Sequence, residues 1–279
     1  MDGRLESQFA DMLSNYDVQF YACDARSQQF YEYIRQRGSK LKYAVICAGN
    51  DKLNRELAEE LTAYCKYLQL QLPMYLCSRQ GVSACDSDGL VCESHDLYTP
   101  ELLSNRTLDR LAMLLNHSYQ GATDKSPVQT WMECDYFSRQ SCRAAADFAE
   151  SMLWMAGKTA DQVQHNGWQL TDTQLENLSK TEHLRWCAFH YCMGFRTMDD
   201  KTLSQRGETY RSQLQEQGKA TIRIGKDMEK RLHACLVPWE ELDKLSEKEA
   251  AYTGKRVDYK AMDTDNVLAL EKLLKITEE

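Results

Sequence analysis

The sequence predicts two halves of different class: an α/β N-terminal domain built on a parallel sheet, followed by a mainly α-helical domain. Three observations carry this expectation. Short apolar runs alternate with amphipathic helical stretches up to residue 120, a polar stretch with Gly and Pro follows at 121–130, and helical periodicity dominates from Trp131 onward. The expected organisation is therefore a domain at 1–120, a linker at 121–130 and a second domain at 131–279.

In the first half, VQFYACD (18–24) reads as a strand, ARSQQFYEYIRQRG (25–38) as a helix closed by Gly38, and KYAVICAG (42–49) as a fully apolar strand. NDKLNRELAEELTAYCKYLQ (50–69) reads as a helix capped by Asn50 or Asp51, and PMYLCSR (73–79) as the next strand. Strands separated by helices of this length imply crossovers and parallel pairing. A short strand at LVCES (90–94) and a helix at 99–120, with Pro100 suited to its first turn, complete this half.

The second half opens with a helix at 136–157 ending at Gly157. Another spans 172–194, starting at Thr171 or Asp172 and closing at Gly194, the residue type that ends helices in a left-handed turn. In LHACLVPWEEL (232–242), Pro238 holds Val237 extended and begins a helix at WEELDKL. The long polar stretch 196–231 reads as an exposed arm or mobile insertion.

Composition narrows the function classes. The chain has 279 residues, a formal net charge of −8 and 27% charged residues, the profile of a soluble globular protein. A net acidic chain lacks the basic footprint of a nucleic-acid or anionic-membrane binder, although a local basic pocket for one small anion remains compatible with it. No apolar run approaches the roughly 18 residues of a spanning helix, and the N-terminus has no basic-then-apolar leader, so a cytoplasmic location is expected. The 11 cysteines sit singly within apolar runs and read as reduced, mostly buried small hydrophobes.

The helix at 172–194 carries the residues that could hold a ligand. Glu182, Trp186 and Phe189 fall at i, i+4 and i+7, with Arg185 one step round. A ring beside a carboxylate and a guanidinium suits a purine: the base stacks on Trp186, Arg185 pairs with a phosphate, and Glu182 accepts from an amino or hydroxyl group. The alternative is that Trp186 is a core residue and the two charges pair with other helices. His183, Cys187 and His190 also share one face at metal-ligand spacing, but no fourth ligand is evident, so no metal is expected. Trp239 falls at a strand-to-helix corner, where a large amphipathic ring lines a cleft or anchors a core. Trp168, in QHNGWQL, is assigned to the site and Trp131 to the core. No G-x-S-x-G, H-E-x-x-H or G-x-x-x-x-G-K-[ST] motif occurs.

A series of blocks resembles the ryanodine-receptor-type (RyR) domain of bacterial proteins. It comprises Trp131, SRQSCRAAADFAESML (138–153), LSKTEHLRWCAFHYCMGFR (178–196), LHACLVPWEEL (232–242), and Asp263 with VLALEKLL (267–274). Three positions depart from the family pattern: Phe195 stands in place of Trp, Cys142 in place of Asn, and Ala234 in place of Pro. More loosely, KYAVICAGNDKLNRELAEEL (42–61) is similar to the degenerate Rossmann-like domain that precedes RyR domains. It lacks the G-x-G-x-x-G loop, so no nicotinamide cofactor, nor any other, is expected.

The resemblance implies a regulatory protein that senses a nucleotide or nucleotide-derived messenger and does no chemistry. It adds His183, His233 and Arg143 to Glu182, Arg185, Trp186, Trp168 and Trp239 as implied ligand-binding residues. A homo-oligomer or a partner effector is compatible with it. A protein-interaction subunit that docks an effector or channel, and a nucleotide-processing enzyme, are the competing expectations.

Overall fold

The structure, a computed structural model, describes residues 10–19, 21–77, 81–85, 91–96, 107–121 and 123–276. The chain divides into two compact units, one of residues 20–108 and one of residues 2–19 with 109–279. The division thus falls at Leu108/Asp109 rather than within 121–130. Helix α1 (Ala10–Asn15) belongs with the second unit, where the Thr197 amide donates to the Asp11 carboxylate (2.7 Å).

The first unit contains α2 (Gln28–Arg37), β1 (Ala44–Ile46), α3 (Asp51–Tyr67), β2 (Met74–Cys77), β3 (Gly81–Cys85) and β4 (Val91–Asp96). Ser27 caps α2 and Asn50 caps α3, each side chain accepting from an amide three residues on. Strand order is β1-β2-β3-β4, with β1 and β2 parallel and the other two pairs antiparallel. The expected parallel pairing is present between β1 and β2, and β3 and β4 make the sheet mixed. Three residues join β2 to β3, far fewer than a parallel crossover requires, whereas the helical β1-to-β2 connection is long enough for one.

Residues 18–24 were also expected to pair in this sheet. Among the described residues they do not, and Tyr21 packs instead on the Tyr33 ring at 4.7 Å. One face of α3 (Ala58, Leu61, Cys65) covers Ile46, Met74 and Leu76. Buried Asn54 bonds the Ala48 amide and the Cys77 carbonyl (both 2.7 Å), tying α3 to the ends of both parallel strands.

The second unit is mainly helical: α4 (Arg110–Tyr119), α5 (Pro127–Glu133), α6 (Tyr136–Met155), α7 (Ala160–Asn166) and α8 (Asp172–Cys192) precede β5 (Arg196–Thr197). Then come α9 (Asp200–Gln217), β6 (Lys226–Asp227), β7 (Leu232–His233), α10 (Leu242–Thr253) and α11 (Tyr259–Ile276). The expected linker holds α5, closed at its start by a reciprocal cap between Ser126 and Gln129. Helices α6, α7, α8 and α11 share a core of Met152, Leu153, Val163, Leu178, Val267 and Leu270. Among the described residues, no helix is long and apolar enough to cross a membrane.

The stretch 196–231 is not a loose arm. Helix α9 is capped by Asp199, ends at left-handed Gly218, and buries Leu203 and Gly207 against α10. Strands β5, β7 and β6 form a small three-stranded sheet, with β7 in the centre.

Candidate functional site

Helix α8 positions most of the candidate residues. It starts at a reciprocal cap between Thr171 and Gln174 and runs 21 residues, so residues four apart stack on one face for its whole length. Near its middle, Glu182 and Arg185 form a bidentate pair, Nε to Oε2 and Nη2 to Oε1, both 2.7 Å. Their side chains are only 2% and 8% exposed, and the remaining Arg185 nitrogen, Nη1, is buried without a partner. Glu182 therefore already occupies the guanidinium face that the sequence reading assigned to a phosphate.

His183 lies between two acceptors. Its Nδ1 meets Asp263 Oδ2 of α11 at 3.1 Å and its Nε2 meets the Val237 carbonyl at 2.8 Å. Only the doubly protonated ring donates to both. Burial alone would lower the pKa, but the Asp263 hydrogen bond, with help from Cys187 and Val237, raises it to about 10. His183 is thus a buried imidazolium that joins α8 to α11 and to the segment before α10.

Two turns further along α8 the electrostatics are opposite. His190 Nδ1 faces the Trp186 carbonyl at 3.0 Å and so carries the proton, which leaves Nε2 as an acceptor, buried and unpartnered. Burial brings the His190 pKa down to about 3. His233 Nδ1 accepts from the Cys235 amide at 3.1 Å; burial, then the neighbouring His190, takes its pKa down to about 2. The Trp186 ring packs against both of these neutral imidazoles, with centroids 3.9 Å from His190 and 4.8 Å from His233, and the two imidazoles meet at 5.3 Å.

Trp186 and His190 also line a cavity of about 360 Å³, with Asn116 and Tyr119 of α4, Phe137 of α6 and Lys226 of β6. Asn116 Oδ1 accepts from the Cys134 thiol at 3.2 Å, while its Nδ2 is buried without a partner. Two residues of the cavity wall thus carry an unpaired polar atom, Asn116 Nδ2 and His190 Nε2, each covered by neighbouring atoms rather than open to the cavity and worth roughly 1–3 kcal/mol if satisfied. Cys142, also in the wall, has its pKa pushed up by burial to about 12, so it stands as a thiol rather than a nucleophilic thiolate.

Of the residues expected from sequence to bind a ligand, Trp186 lines this cavity and His233 touches Trp186 from behind. The Glu182–Arg185 pair and His183 are one layer further in. The Trp239 ring lies 5.9 Å from His183 with Lys260 over it at 5.6 Å, and it does not line the cavity. Trp168 is a core residue of this unit, its indole donating to the Val267 carbonyl at 2.9 Å. Arg143 forms two 2.6 Å bonds to Asp109 and lies over the Trp131 ring.

His183 Nε2 and His190 Nδ1 are turned toward separate carbonyls, so the expected metal-like spacing does not converge. Among the described residues, no group of three His, Cys, Asp or Glu side chains could hold an ion. Sequence reasoning missed Asn116, Tyr119, Phe137 and Lys226. They come from three separate stretches, and the polar context of Lys226 resembled an exposed arm. Comparison with protein-family models, with curated proteins and with solved structures finds no match to this chain.

Proposed function

We propose that the second unit is an RyR-type ligand-sensing domain that binds a nucleotide or nucleotide-derived messenger in the cavity beside Trp186, without chemical conversion. The observation that carries this reading is the wall itself: Trp186, Asn116 and His190 line one cavity of about 360 Å³, and Asn116 Nδ2 and His190 Nε2 are unpaired beneath its surface. A planar base with a donor beside an acceptor satisfies all three groups, once side chains covering the two unpaired atoms give way. Of the blocks that resemble the RyR family, 138–153 falls on α6 and most of 178–196 on α8, and both helices wall the cavity. A binding role fits better than catalysis because burial holds both cavity cysteines, Cys134 and Cys142, as thiols and makes His190 a weak base.

Base stacking on an aromatic ring contributes about 1–3 kcal/mol, so Trp186→Ala should weaken nucleotide binding roughly tenfold to a hundredfold and Trp186→Phe should lose less. Titration calorimetry against a nucleotide panel, with melting curves alongside, tests this. Wild-type affinity in a stably folded Trp186→Ala protein would remove the site. A second reading, a protein-docking surface, draws on Trp154 and Met155 at the end of α6, which are 81% and 42% exposed. Substituting both by Ser should then abolish partner capture and leave nucleotide affinity unchanged.

A further inference from the structure

Among the described residues Lys226 is the one cation in the cavity wall; Asp135 of the same wall acts on it electrostatically but forms no ion pair with it. Its ammonium lies over the faces of Phe137 (4.9 Å) and Phe195 (5.8 Å). Among the described residues, no carboxylate stands within 4 Å of it. Of the two acids in the same wall, Glu133 pairs with Lys125 at 2.6 Å, and the Asp135 carboxylate accepts from the Ser138 amide and hydroxyl at the start of α6. Ring faces stabilise an ammonium only modestly, and burial, followed by the charge of Arg223, lowers the Lys226 pKa. A half-buried ammonium without an ion pair keeps donors that an anion can take.

The lysine is also held in place. Arg206 of α9 donates to the carbonyls of Arg223 (2.7 Å), Ile224 (3.0 Å) and Lys226 (2.7 Å), and to the Asp227 carboxylate (2.8 Å). One guanidinium therefore fixes residues 223–227, and β6 then pairs with β7 so that Lys226 stands opposite His233. The cavity's aromatic side comes from α6 and α8, whereas its cation comes from the stretch that looks like an insertion.

We propose that Lys226 is the anion-binding group of the cavity, that Arg206 is its positioning residue, and that the ligand is accordingly a nucleoside carrying a phosphoryl group rather than a free nucleoside or base. This rests on the nucleotide reading above and assigns to Lys226 the role that the sequence suggested for Arg185. The phosphoryl group would meet Lys226 as a point charge, with no bidentate partner exposed beside it.

The test compares the four ribonucleoside 5′-monophosphates with the corresponding nucleosides by titration calorimetry at low salt, using the full chain. The expected result is at least one monophosphate bound ten times or more tightly than its nucleoside. Lys226→Met should bring that monophosphate to the nucleoside's affinity, and Lys226→Arg should keep part of the difference. Arg206→Lys should lower monophosphate affinity alone, whereas a merely structural Arg206 would change the melting temperature and both affinities together. Nucleosides binding as well as monophosphates, with Lys226→Met silent, would overturn the anion assignment and leave the nucleotide site standing. If neither class binds, the nucleotide reading fails, and this assignment fails with it.

Discussion

At the scale of single residues, α8 holds two histidines two turns apart in opposite charge states, and the difference comes from what each ring nitrogen faces. His183 has an acceptor at both nitrogens, one of them a carboxylate; His190 has one carbonyl and an unpartnered lone pair. The folded pKa of His183 is raised to about 10, so its contribution to stability is fully present below the unfolded value of about 6.5 and is lost as pH rises toward 10. Removing one partner of a buried pair costs roughly 3–5 kcal/mol. The wild-type protein should therefore melt well above His183→Gln at pH 6, and that advantage should shrink steadily up to pH 10. Melting curves of both proteins across this range check the sign; an advantage that grows with pH would show that His183 is neutral in the fold. Much of this residue-level picture was legible beforehand, since the helical spacing placed Glu182, Trp186 and their neighbours together. The pairing of Arg185 with Glu182 was not, because an i,i+3 spacing permits a pair without saying whether a ligand competes for it.

Among elements, legibility followed how much burial each helix displays in its own pattern. Helices α6 and α8 read correctly because capping residues and the left-handed glycines Gly157 and Gly194 mark their limits. Helix α9 did not, because only Leu203 and Gly207 of its 18 residues are buried, and a glycine contributes nothing to an apolar stripe. Gly207 is nonetheless the contact point: a methyl there would stand 2.6–2.7 Å from ring atoms of Tyr252 on α10, a ring that Arg211 covers at 4.6 Å. The two readings of this stretch predict opposite signs. In an exposed arm, Gly207→Ala would stabilise the helix by about 0.5–1 kcal/mol. Packed as it is, the same change should destabilise by about 1–3 kcal/mol through overpacking, which denaturant unfolding measures directly. Because α9 also supplies Arg206, a destabilised α9 should loosen the loop that carries Lys226.

For the whole molecule, the position of the boundary decides which fragments fold. Helix α4 was read as the end of the first domain, since it follows that domain's strands and precedes a polar stretch with Gly and Pro. Its buried face belongs elsewhere: Ala112, Met113 and Leu115 pack with Trp131, Cys142 and Leu273 of the second unit, and Asp109 just ahead of it pairs with Arg143. Periodicity identifies an apolar stripe but not its partner, which is why the boundary was misplaced by a whole helix. A fragment of residues 131–279 leaves that cluster open, whereas 107–279 retains it. Each exposed side chain of the Met or Leu class removes about 1.5–3 kcal/mol, and for a domain of this size 1 kcal/mol shifts the melting temperature by about 2–4 °C. The shorter fragment should therefore melt roughly 10 °C or more below the longer one, or fail to fold. It should also lose nucleotide binding, because Asn116 and Tyr119 are absent from its cavity wall. The full chain should in turn exceed 107–279, since α1 and the following residues add the Asp11 contact to Thr197 and the Tyr16 hydroxyl bond to the Leu184 carbonyl (3.0 Å). Circular dichroism melts of the three proteins, with calorimetry on those that fold, give the order; equal melting of 131–279 and 107–279 would return α4 to the first domain.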